Sequence, residues 1–187
     1  MERTPADDLA HLNAHPQYWM NKALALHASA GAVWICRNQR GSEYFRKEPG
    51  LNLEFEIPGE SWQVYRMLCG MSLELCYKAS LIAKRSEIRK THDLVALAEE
   101  VLFTVSSRER GLLALLSECV IWEGRYPAPK DSRSLEYFAF LHFEILFEKV
   151  WDGNNIILKP KEPDPLDWEG YSALWNAAVA AYEWHKS

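Results

Sequence analysis

Little in this 187-residue chain marks a secreted, membrane-spanning or metal-dependent protein. It has only four cysteines, Cys36, Cys69, Cys76 and Cys119, with no C-x-x-C spacing. That pattern argues against a zinc site or a disulfide framework and for buried free thiols in a reducing compartment. No apolar run approaches the ~18 residues that a membrane span needs. The opening MERTPADDLAHLNAHP lacks the apolar core of a signal peptide, so a cytoplasmic chain with no membrane contact is the expectation. Positive charge is not in excess: 21 Lys and Arg stand against 26 Asp and Glu, a net charge of −5. Without a global positive field, any contact with nucleic acid has to be local. There is no Gly-rich phosphate loop, repeat or low-complexity tract, and nothing implies a cofactor. His11 and His15 share an i,i+4 spacing, but no carboxylate or thiol completes a metal set.

What the chain does have is helical periodicity around one segment. From Met67 to Ala83 the only charged residues are Glu74 and Lys78. A helix there is apolar nearly all round and belongs at the centre of a bundle. Glu74 and Lys78 sit at i,i+4 in the favourable order, on a stripe with Met67, Met71 and Leu81, which makes them a structural pair walled by apolar side chains. Before this helix, Pro16 opens a helix over about 16–37, following loosely held polar residues 1–15. Residues 41–59 form an irregular insert in which Leu51, Leu53, Phe55 and Ile57 alternate as in a strand. Beyond it, Thr91 or Asp93 caps a helix through Leu94, Leu97 and Val101. Ser106 and Glu109 make a capping box for the next. Pro127 and Pro129 stop that helix. Asp131 or Ser132 caps a fifth that carries Leu135 to Val150, and an extended connector at 159–165 leads to a last helix over about 168–184, more suited to core or oligomer packing than to a ligand cage. The expectation is a single all-α domain over 1–187, an up-and-down bundle of about six helices with a short extended insert.

Three places hold candidate chemistry. Lys84, Arg85, Arg89 and Lys90 form a basic turn after the central helix, followed at once by His92 and Asp93. The turn is either a solvated helix end that offsets the macrodipole or a contact for a phosphate or acidic partner. His92 is either a helix-start histidine bonded to a nearby carbonyl or a proton donor or phosphate ligand. Arg125 and Tyr126, among prolines and beside Trp122, are either a stiff corner with Arg125 capping carbonyls or a place to stack a base and grip a phosphate. The aromatic residues from Trp168 to Trp184 make a second copy of the chain an expected partner.

Taken together, Gly70-x-x-Leu73-Glu74-x-x-x-Lys78, the basic linker, Thr91-His92-Asp93-Leu94 and Trp122-x-Gly124-Arg125-Tyr126-Pro127 resemble the HEPN family of helical domains over about residues 60–151. The resemblance implies an up-and-down bundle, usually dimeric, that binds a nucleotide, RNA or a cognate protein, in toxin–antitoxin or antiphage settings. Ribonuclease members carry Arg-x(4–6)-His at the start of a late helix, metal-independent, with two chains' motifs meeting. Here Arg125 has no histidine at that spacing. Arg85 and His92 fit the spacing but flank an earlier turn. The expected function is therefore a non-catalytic module using Arg85, Arg89, His92, Asp93, Arg125 and Tyr126. The alternative is an endoribonuclease that uses Arg85 and His92 across a dimer groove.

Overall fold

The computed structural model describes residues 4–37, 57–102, 104–153 and 155–186. Its elements in chain order are α1 (Pro5–Ala14), α2 (Pro16–Cys36), α3 (Ile57–Ala83), α4 (Leu94–Val101), α5 (Ser107–Glu118), a π-helical turn (Cys119–Glu123), α6 (Ser132–Leu146), strands β1 (Phe147–Asp152) and β2 (Asn155–Pro160), and α7 (Trp168–Lys186). The chain is mostly helical, as its periodicity predicts, and no described helix is long and apolar enough to cross a membrane.

α3 is the axis of the bundle. Tyr65, Cys69, Leu73, Cys76, Tyr77 and Leu81 on it are buried, and so are Ser72, Ser80 and both members of the Glu74–Lys78 pair. α2 runs antiparallel to it, since Trp34 near the end of α2 packs on Trp62 and Tyr65 near the start of α3. α5 is antiparallel on another side, with the α3 Gly70 against the Leu116 carbonyl and Val120. That approach requires a glycine: a Cβ at position 70 would lie 2.6 Å from Val120 Cγ2 and 2.9 Å from Leu116 O. α7 packs along α3 and meets α2 through His27 on Trp175 and Gly31 on Trp168, burying Tyr171, Leu174, Trp175, Ala178, Ala181 and Tyr182. The three helices share a polar chain: the His27 and Tyr171 side chains bond at 2.8 Å, Tyr171 and Ser72 hydroxyls at 2.7 Å, and Ser72 Oγ donates to Cys69 O at 2.7 Å. The α7 aromatics are thus core, apart from the exposed Trp184.

Local signals set the boundaries. Asp93 caps α4 by accepting from Val95 N and Ala96 N, Ser106 and Glu109 form the expected capping box on α5, and Asp131 caps α6. The π turn adds one residue to the end of α5, closed by Gly124 N donating to Cys119 O at 3.0 Å. This brings Trp122 and Glu123 inward, where both are buried.

Three expectations are corrected. Residues 5–14 are helical, because Thr4 and Asp7 make a capping box ahead of Pro5. The fifth expected helix ends at Leu146 rather than Val150, and residues 147–160, including the start of the expected connector, form an antiparallel hairpin with Asp152 opposite Asn155. Gly153, at φ 61°, supplies the left-handed residue that a two-residue hairpin loop needs. The expected 41–59 insert is also shorter, because residues 57–59 are the first turn of α3; its strand reading at Leu51, Leu53 and Phe55 lies outside the described residues.

Candidate functional site

The buried pair on α3 proves to be part of a larger unit. Lys78 Nζ donates to Glu74 Oε1 at 2.6 Å, and His92 Nδ1 lies 2.9 Å from Glu74 Oε2. The Glu74 and Lys78 side chains are 8% and 9% exposed, whereas that of His92 is 52% exposed. An ionised carboxylate only accepts, so His92 uses Nδ1–H toward Glu74 and its Nε2 is left for other partners. His92 is thus held by a side chain of the core, eighteen residues earlier, rather than by a neighbouring backbone carbonyl. Its position is fixed from both sides, since Thr91 Oγ accepts from Asp93 N and Leu94 N donates to Ser117 Oγ. Asp93 itself is committed to the α4 cap.

The basic turn divides into engaged and free cations. α3 ends in a Schellman pair, with Ser86 N donating to Leu81 O at 2.8 Å and Arg85 N to Ile82 O at 2.9 Å. Arg85 occupies the left-handed position of that motif at φ 58°, where glycine is the usual residue. Lys84 Nζ donates to the Glu100 carbonyl and Arg89 pairs with the Glu100 carboxylate. Arg85 and Lys90 are exposed and have no such partner among the described residues.

The other candidates sit elsewhere. Arg125 Nη2 donates to Ile121 O at 2.6 Å and its guanidinium lies 5.5 Å from the Tyr126 ring centre. Arg125 therefore caps the π turn, with Tyr126 exposed beside it. Gly124 packs on Met67 of α3. From Met67 to the end of α3 at Ala83 is about 24 Å, and from Glu74 about 14 Å, at 1.5 Å per residue. Within one chain, Arg125 and Tyr126 are thus not brought to Arg85, and Arg85 lies beyond the α3 turn that holds His92.

A cleft of about 380 Å³ beside the start of α4 is lined by Asp93, Ser117, Glu118 and Tyr137 with apolar walls. Burial raises the Glu118 carboxyl above its ordinary range, and burial with the nearby Glu118 and Asp93 raises the Tyr137 phenol. Its acidity opposes a phosphate. Sequence reasoning also passed over Arg66, which is buried, stacks 4.4 Å over Trp62 and lies 3.7 Å from Asp164. Burial with Glu123 nearby makes Arg66 a pin between α3, the π turn and the connector before α7. No sequence signal separates such an arginine from a surface one. Three buried thiols are inert: burial pushes Cys76 up to about 12 and raises Cys69 and Cys119 well above the ordinary thiol range. Among the described residues no group of three or more His, Cys, Asp or Glu stands ready for a metal; His11 and His15 pack ring against ring at 4.1 Å.

No family model matches the chain, and neither a curated protein nor a solved structure matches it.

Proposed function

We propose that the chain is a non-catalytic, HEPN-like module that binds the phosphate of a nucleotide or of RNA at the basic end of α3. The observation that carries this reading is the contrast within one turn: Lys84 and Arg89 are spent on Glu100, while Arg85 and Lys90 are exposed without such partners among the described residues. His92 is fixed on Glu74, about 14 Å back along α3, with one ring nitrogen uncommitted. Exposed cations gathered at one helix end suit a compact anion, and such contacts are charge-assisted and salt-sensitive. The left-handed Arg85 agrees with this, since a charged side chain occupies a position where glycine would be more stable.

A second reading has its own support. A carboxylate holding Nδ1 of an exposed imidazole is the arrangement that positions a general base, which favours the ribonuclease alternative with His92 and Arg85 supplied across two chains. Titration of labelled nucleotides and short RNA distinguishes the site: Arg85→Ala should weaken binding and reduce its salt dependence, and an unchanged affinity removes the proposal. A second copy of the chain is the proposed protein partner.

A further inference from the structure

Among the described residues, the hairpin and α6 leave an apolar face without a neighbour. All of the described β2 residues are exposed, and the hairpin touches the rest of the molecule chiefly through the end of α6. A two-stranded hairpin is marginally stable by itself. The register puts Trp151 opposite Ile156 and Lys149 opposite Leu158, so Trp151, Ile156 and Leu158 share one side of the ribbon. Leu158 meets Phe143 and Phe147 around a pocket of about 270 Å³, and Phe140 lies one turn before Phe143. Trp151 is 71% exposed, Phe140 60%, Ile156 54%, Phe143 46% and Leu158 45%.

From these observations we infer that this face is a twofold interface with a second copy of the chain, α6 and the hairpin of one protomer packing on those of its partner. Area is the first argument. With about 150–250 Å² for a whole aromatic side chain, the five residues present on the order of 500 Å² of apolar surface. That is at the upper end for any single patch on a monomer. It is also close to the apolar share, roughly 60%, of the ~800 Å² that each partner of a stable complex buries. Charge is the second argument. From Glu144 to Lys161 the chain has three acids, Glu144, Glu148 and Asp152, and three bases, Lys149, Lys159 and Lys161. A balanced rim in a chain of net charge −5 complements itself, whereas an electrically one-sided partner would need an excess of one sign. Self-complementarity is what an isologous contact requires. The surface is separate from the basic end of α3, so it stands or falls independently of the anion site.

The test is sedimentation of the full chain across the micromolar range, with Trp151→Glu, Phe140→Glu and the exposed Trp184→Glu as a control. Wild type and Trp184→Glu should show twice the chain mass, and the two face variants should show the chain mass with unchanged helical circular dichroism. Each variant replaces an exposed side chain, so folding should survive. If Trp151→Glu misfolds the hairpin, Phe140→Glu on α6 still decides. A monomeric wild type, or a dimer that persists in the folded face variants, overturns the inference.

Discussion

Glu74→Ala should be among the most destabilising single changes in the molecule that removes no apolar packing. The carboxylate is nearly buried, accepts from Lys78 at 2.6 Å and holds His92 at 2.9 Å. Removing it strands the nearly buried Lys78 ammonium without its carboxylate, and breaking a buried pair in this way costs about 3–5 kcal/mol. For a chain of this size each kcal/mol moves the melting midpoint by roughly 2–4 °C, so a drop of about 6–20 °C is expected. Glu183→Ala removes the exposed partner of Lys186, 3.8 Å away, and should cost under ~1 kcal/mol. Changing both partners, Glu74→Leu with Lys78→Met, should recover much of the loss, because an apolar replacement leaves no buried charge. His92 would stay unanchored in that double variant, so its stability should return without its full anion affinity. The assay is denaturant unfolding at constant m-value. Equal midpoints for Glu74→Ala and Glu183→Ala would refute the reasoning.

Arg85→Gly should stabilise the fold while weakening anion binding. The left-handed arginine costs about 1–2 kcal/mol, and glycine's extra chain entropy takes back roughly 0.5–1, so a net gain of about 0.5–1 kcal/mol should appear in the same unfolding assay. Gly70→Ala should cost about 1–3 kcal/mol by overpacking, since the Leu116 carbonyl is backbone and has little room to yield; a neutral result would mean that α3 and α5 slide apart freely. Glu123→Gln should change the pH dependence of stability. Burial raises the Glu123 carboxyl above its ordinary range, so the folded state holds its proton longer than the unfolded chain does. Wild-type stability from this group then falls as pH rises from the unfolded carboxylate range through the raised value. The variant should gain relative to wild type over that window, and a pH-independent difference would contradict the assignment.

Much of the bundle is legible in the sequence, for physical reasons that can be named. α3 announces itself because only one charged pair interrupts it between Met67 and Ala83, and Asp93, Ser106 and Asp131 are caps whose chemistry is local. α1 was hidden by polar composition, although its Thr4–Asp7 box was there to read. The hairpin was hidden because Phe147 and Val150 continue the i+4, i+7 helical spacing of Phe143. The competing signal, Asp152-Gly153 between two short segments that carry Val, Trp and Ile, is the hairpin one. The site was half legible. The i,i+4 spacing of Glu74 and Lys78 gives their pairing, but the contact of His92 with Glu74 is tertiary and has no local signature. Arg125 and Tyr126 read as a candidate because spacing cannot show that a guanidinium is already spent on the Ile121 carbonyl.

The most direct test of the binding reading is RNA incubated with the purified chain in excess chelator, with the same samples assayed for complex formation and for strand integrity. Wild type should retard the RNA and leave it intact, and Arg85→Ala should retard it less. RNA cleaved by wild type and left whole by His92→Ala would contradict a non-catalytic module and make Glu74 and His92 the positioned half of a nuclease site.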